Sequence, residues 1–254
     1  MHAPMPLRRP VLLLAFAGWN DAGQSATTAV RVLSEQFGGS RYASIDPELF
    51  YDFTVARPSV RLTAGQQRSV EWTSIELTAA AVHATEHDYI FGTGPEPHLR
   101  WKTFAAVLIE LARHSGVEVV VTLGGYLAEL LYTRPVPVTG FASDPSVLER
   151  LDIQSTRYEG PTGIVGVLGD ALRTAGIPHV SLWAALPHYI AAMPNPRGAL
   201  ALLLRLTQLL GLPADLEPLK LQAAEFEQKI NEAVEGDARL SAYVRELKKR
   251  EFTN

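Results

Sequence analysis

The chain has 254 residues, a formal charge of −4 from 27 acidic and 23 basic side chains, 47% hydrophobic residues and no cysteine. This is a globular composition long enough to bury a core, and it excludes disorder, collagen, disulfides, thiolate metal sites and cysteine nucleophiles. The mildly acidic balance supplies no positive field for wrapping nucleic acid or gripping an anionic membrane, so neither is expected as a partner.

Arg8-Arg9 before the apolar run Val11 to Ala17 imitates a secretory leader. The run lies at the bottom of the length range for a leader and passes without a spacer into Gly18-Trp19-Asn20-Asp21, so it reads instead as a first strand buried on both faces. Arg205 interrupts the longest other apolar stretch, ALALLLRLTQLL, and no membrane span is expected. The chain reads as soluble and cytoplasmic.

Strand Val11 to Phe16 is followed by a predicted helix from Ala22 to Phe37, with Ala26, Val30 and Leu33 on one face. From Ser40 to Trp72 the pattern breaks into an excursion of short strands at 42–45, 51–55, 60–62 and 69–72, punctuated by Asp46-Pro47 and Arg57-Pro58. A strand at 74–78 comes next. Alternation then resumes with strand 88–92, helix Pro97 to His114 and strand Val117 to Leu123. A proline-rich loop around Arg134 to Thr139 precedes helices at 145–151 and 164–175, strand 179–186 and helix 197–210, and Gly211-Leu212-Pro213 ends the pattern. Short apolar runs alternating with helices predict an α/β fold with layers of helix on a sheet. Residues 1–213 are read as this α/β/α domain. Residues 214–254 are read as an amphipathic helical extension, with Phe226, Ile230, Ala233, Leu240, Val244 and Leu247 in a narrow stripe and a break at Gly236-Asp237. That stripe covers either the parent domain or another subunit.

His83-Ala84-Thr85-Glu86-His87 matches a zinc-binding pattern that requires a helix, but strand-like flanks leave room only for a connection, and no metal site is expected. Gly92-Thr93-Gly94-Pro95-Glu96-Pro97 lacks the third glycine of a dinucleotide loop, and Gly23-Gln24-Ser25-Ala26-Thr27 lacks the second glycine of a nucleophile elbow. No P-loop is present, and Pro97 reads as the first residue of its helix, with Glu96 at the positive end of the helix dipole. The candidate site is therefore a set of polar loops at strand ends, holding Trp19, Asn20, Asp21, Glu96, Arg100, Tyr126, Glu159, His188 and Asn195. These residues admit two readings. Asn20, Asp21 and Thr162 suit helix capping and the glycines and prolines suit turns. Alternatively the loops line one crevice, in which Arg100 binds an anion, His188 or Glu159 acts as acid or base, and Asn20 orients a nucleoside-like or small anionic substrate.

The strings AFAGWNDAG, IDPELFYDFTVARPSVRL, GPEPHLRW, RPVPVTG, YEGPTGIVGVL and SLWAALPHYIAAMPNPRGALALL, in this order, resemble the proteasome assembly chaperone 2 family in its actinobacterial branch. The resemblance covers nearly the whole chain. It implies a three-layer α/β/α sandwich like that of the purine nucleoside phosphorylases, an intracellular homo-oligomer with a trimer favoured, and a protein partner such as a proteasome subunit; no cofactor is expected. The family's older label as an ATP-grasp superfamily has no phosphate-binding loop behind it in this sequence. Some family members dock through a C-terminal hydrophobic-Tyr-any tripeptide, whereas this chain reads Phe252-Thr253-Asn254, with threonine in the tyrosine's place. The expected function is that of a non-enzymatic, oligomeric interaction protein, with the 40–72 excursion and the C-terminal helices as contact surfaces. The alternative is a phosphorylase- or hydrolase-type enzyme, or a small-ligand-binding protein, using the polar loops.

Overall fold

The structure, a computed structural model, describes residues 6–63, 67–190 and 193–251. The tail Phe252-Thr253-Asn254 lies outside them. The strands are β1 (Val11–Ala17), β2 (Ser40–Ile45), β3 (Ser59–Thr63), β4 (Gln67–Glu71), β5 (Ile75–Ala80), β6 (Tyr89–Pro95), β7 (Val119–Ala128), β8 (Val138–Ala142), β9 (Gln154–Ser155) and β10 (His179–Pro187). The helices are α1 (Ser25–Gln36), α2 (Trp101–His114), α3 (Ser146–Arg150), α4 (Ile164–Thr174), α5 (Pro196–Leu210), α6 (Glu217–Gly236) and α7 (Ala238–Glu251).

Among the described residues, eight strands form one sheet in the order β2-β5-β6-β1-β7-β10-β8-β9, and β3 and β4 form a separate ribbon. The four central strands β6, β1, β7 and β10 are parallel, while β5 and β8 run antiparallel at their flanks. β1 shows why the sheet needs helices on both faces. Its Val11, Leu13 and Ala15 join a core with α1 and α5, and its Leu12, Leu14 and Phe16 join a second core with α2 and α4. Side chains that alternate with a period of two, all of them apolar, can only be buried by two layers, and the result is the three-layer α/β/α sandwich.

Three elements differ from the sequence reading. Residues 51–55 form a turn, because Asp52 accepts hydrogen bonds from the Thr54 N–H and hydroxyl through its side chain and from the Val55 and Ala56 N–H groups through its carbonyl. Helix α2 begins at Trp101 rather than Pro97, since the His98 and Leu99 N–H groups are both held by the Phe50 carbonyl and Arg100 is left-handed at φ 54°. The loop of prolines contains the start of β8, which pairs antiparallel with β10 from Val138 opposite Ala184. Pro135 and Pro137 lie before its first pairing residue and remove no ladder donor from it.

The C-terminal stripe covers the parent chain. Ile230, Val234, Val244 and Leu247 form a third core with Leu131 and Tyr132, and Tyr189 and Ile190 pack against it. The break falls at Asp237, whose carboxylate accepts from the Arg239 and Leu240 N–H groups and so starts α7. Exposed ion pairs Arg134–Glu251 and Arg250–Glu129 fasten the end of α7 to the segment following β7.

A polar chain runs through the buried centre of β7 and β10. His179 Nε2 lies 2.9 Å from Thr122 Oγ1, which donates to Ser181 Oγ at 2.9 Å, and Trp183 Nε1–H donates to the same Ser181 oxygen at 2.8 Å. With the threonine proton directed to Ser181, His179 carries its own proton on Nε2. Its Nδ1 is buried and has no partner. Burial pushes the imidazole down from 6.5 to about 4. The unfolded chain therefore takes up this proton first, so the stability it contributes is full above pH 6.5 and is lost as the pH falls toward about 4. His179→Gln is expected to flatten this part of the pH dependence. Between pH 7 and pH 4, urea unfolding should show the native protein losing about 3 kcal/mol more than the variant. Equal losses would contradict the assignment.

Candidate functional site

Chain connections leave β1 toward one edge of the sheet and β7 toward the other, and a crevice at such a switch is where open α/β sheets bind ligands. Here the backbone closes that crevice. The Asn20 carbonyl accepts the Gly125 N–H at 2.8 Å, and Asp21 and Gly125 form a parallel bridge, so the β1–β7 pairing continues past the end of β1. A Cβ on Gly125 would stand 3.0 Å from the Ala22 carbonyl oxygen, and glycine is what permits this approach.

The polar side chains around the closure terminate helices. Asp21 Oδ1 accepts from the Ala26 and Thr27 N–H groups at 2.7 and 3.3 Å, and its other oxygen accepts the Thr27 hydroxyl, which fixes the start of α1. Burial pushes the Asp21 carboxyl up, against the pull of these hydrogen bonds. Asn195 accepts from the Arg197 and Gly198 N–H groups at 3.1 and 3.2 Å and caps α5, while its own N–H donates to the Gly23 carbonyl at 2.7 Å.

Glu96 caps a helix, but not the one that follows it in sequence. Its Oε1 accepts the Ile164 N–H at 2.7 Å, at the first residue of α4, and the Asn20 Nδ2–H at 2.7 Å. The expectation that Glu96 complements α2 is corrected by the late start of that helix. Thr162 was expected to cap α4, whereas the capping carboxylate comes from Glu96. Gly163 makes this possible, since a Cβ there would lie 2.5 Å from both Glu96 Oε1 and Asn20 Oδ1. Asn20 is buried, and its Oδ1 accepts no hydrogen bond.

The structure thus joins Asn20, Asp21, Glu96 and Asn195 through the 18–25 loop. The other candidates have no hydrogen bond to this cluster. Arg100 and Glu159 are exposed, and Trp19 and Tyr126 stand out at 64% and 38% exposure. His188 lies between the Ala128 carbonyl and the Tyr243 hydroxyl, at 3.2 and 3.4 Å, with its ring edge-to-face against Tyr189 and Tyr243. A cavity of about 140 Å³ under α6 touches this set only through Asn195, and its walls are mostly apolar, including Leu131, Leu186, Ile190, Phe226 and Ile230. The His83 to His87 segment is a turn, not a helix, and Glu86 pairs with Arg9 at 2.9 Å. Among the described residues no group of three or more metal-ligating side chains is gathered, and no helix is long and apolar enough to cross a membrane.

Sequence reasoning overlooked the apolar residues of the same edge. Leu99 after β6, Leu127 at the end of β7 and Met193 after β10 are exposed, like Trp19 after β1 and Tyr126 in β7. Adjacent strands stand about 4.8 Å apart, so the four strand ends span about 15 Å. The signal was available as large apolar residues placed in turn-rich loops, where nothing in the flanking pattern gives them a core to enter.

Removing the shared cap should be costly and a neutral isostere should restore it. Glu96→Ala leaves the Ile164 N–H and the Asn20 amide without an acceptor and is expected to cost about 2–3 kcal/mol in chemical denaturation. Glu96→Gln keeps a carbonyl oxygen for the Ile164 N–H and should recover at least half of that loss. An unchanged midpoint in Glu96→Ala would contradict the capping role.

The PAC2 family model matches residues 15–234. A PAC2 family protein of Streptomyces avermitilis is 41% identical, with a TM-score of 0.84 over 92% of this chain and 99% of its own. A proteasome-assembly chaperone homologue of Mycobacterium tuberculosis is 39% identical, with the same TM-score and coverage. PbaB of Pyrococcus furiosus, an archaeal proteasome activator, shares the fold at 18% identity and a TM-score of 0.71, over 91% of this chain and 96% of its own. No curated protein is significantly similar to the chain. The loop strings that carry the resemblance, the layered sheet and the family match over most of the sequence agree, and the chain belongs to the PAC2 family.

Proposed function

We propose that this chain is a non-enzymatic interaction protein with a chaperone-like role in proteasome assembly. It works as a cytoplasmic homo-oligomer, three copies being the favoured number, and needs no cofactor. The observation that supports this reading is the division of labour at the carboxyl edge of the sheet. Asp21, Glu96 and Asn195 there hold helix ends and Asn20 donates to Glu96, while Trp19, Tyr126, Leu99, Leu127 and Met193 face outward. A small-molecule site needs the reverse, with convergent polar groups left open inside a concave apolar wall. Exposed tryptophan, tyrosine and methionine are the residue types enriched where proteins meet.

The similarity to proteasome-assembly chaperone homologues directs the choice of partner to proteasome subunits. Native mass spectrometry of the purified chain with proteasome α subunits is the test, and a heteromeric species at micromolar concentration is expected. Trp19→Ala with Tyr126→Ala should raise the dissociation constant at least tenfold while leaving the melting temperature unchanged, because both side chains are already exposed. Absence of any heteromeric species would overturn the proposed partner, and full affinity in the double variant would overturn the proposed surface.

A further inference from the structure

The C-terminal helices close a cavity against the parent domain. Its walls come from the loop after β7, the end of β10, the start of α5, helix α6 and the last residue of α7, and it measures about 140 Å³. Leu131, Leu186, Ile190, Phe226 and Ile230 make it apolar. A space of this size suits one small ring, since an apolar cavity of about 150 Å³ takes up a single benzene molecule.

The polar groups of the wall decide what kind of molecule that is. The charged ones are already matched. Arg134 pairs with Glu251 at 3.2 Å, and Arg197 donates to the Tyr132 and Arg134 carbonyls and lies 3.7 Å from Glu227. The Tyr132 hydroxyl donates to Asn231. Asn195 differs from these. It is 4% exposed, its Oδ1 accepts from the Arg197 and Gly198 N–H groups, and its Nδ2–H groups donate to no described residue. Matched charges leave nothing for an ion to pair with, and a buried spare donor calls for one acceptor. Water is a poor occupant, because each molecule needs several polar partners and the side chains of this wall offer one free donor.

We propose that the cavity binds one neutral, ring-sized apolar molecule carrying a single carbonyl-type oxygen, which accepts a hydrogen bond from Asn195 Nδ2. This site is separate from the outward surface assigned to a protein partner and adds a ligand to the protein. Its wall exists only while α6 and α7 are docked, so the ligand strengthens that docking by mass action.

Cyclohexanone and methylenecyclohexane, which differ by one oxygen, are the probes, measured by isothermal titration calorimetry on the full chain. Cyclohexanone is expected to saturate one site with a dissociation constant of about 1 mM or below, and its hydrocarbon isostere should bind about tenfold more weakly for want of the hydrogen bond. Asn195→Asp keeps an oxygen for the start of α5 and removes the donor, so it should abolish the preference for cyclohexanone. Val136→Phe, at a half-buried loop position in the wall, fills the space and should remove the binding of both probes. Saturating cyclohexanone should also slow hydrogen exchange across 217–251 about threefold or more in the wild type and leave it unchanged in Val136→Phe. No saturable heat with either probe would overturn the site, and equal affinity of the two in the wild type would overturn the role of Asn195. Unaltered binding by Val136→Phe would place the ligand elsewhere and overturn the cavity as its seat. Should that variant fail to fold, xenon-pressurised crystals of the wild type decide the same point: a xenon atom beside Leu186, Phe226 and Ile230 is expected, and none there would overturn the proposal.

Discussion

Glu96 Oε1 accepts two hydrogen bonds at 2.7 Å, one from the first N–H of α4 and one from the Asn20 amide. That oxygen links the end of β6, the loop after β1 and a helix 68 residues further along the chain. The loop after β1 is in turn bridged to β7 through Asp21 and Gly125 and to the start of α5 through Gly23 and Asn195. Every buried backbone donor at this edge needs an acceptor, and a helix start has four N–H groups without an internal one. Asp21, Glu96 and Asn195 meet that need for α1, α4 and α5. A carboxylate held at the start of α4 also occupies the place where a helix N-terminus would otherwise receive an anionic ligand. The closure of the edge and its polarity are one fact.

That closure has a consequence for the surface. With the crevice zipped by backbone, the apolar residues of the loops have no interior to enter and are left facing solvent. Trp19 and Met193, at 64% and 65% exposure, show the extent of it. The C-terminal helices do not relieve this, because their apolar stripe is used on Leu131, Tyr132, Tyr189 and Ile190 beyond the ends of β7 and β10. Among the described residues the edge loops and the β3–β4 ribbon both carry outward apolar side chains, on different elements of the fold.

Much of this architecture is legible in the sequence because it rests on local signals. β1 is readable from an unbroken apolar run, the α6–α7 break from Gly236-Asp237, and the residue type that caps α1 from Asp21. Glu96 is the opposite case. Its residue type and its position before a proline both point to the following helix, and only tertiary structure shows that His98 and Leu99 are tied to Phe50 and that the carboxylate turns to α4 instead. β8 was hidden for a related reason. Its prolines precede the pairing residues, and the five-residue run Val138–Ala142 is short enough to pass for the end of the proline loop. Three of the four short strands expected in the excursion are present, but whether they join the main sheet or stand apart depends on pairings that no local pattern encodes.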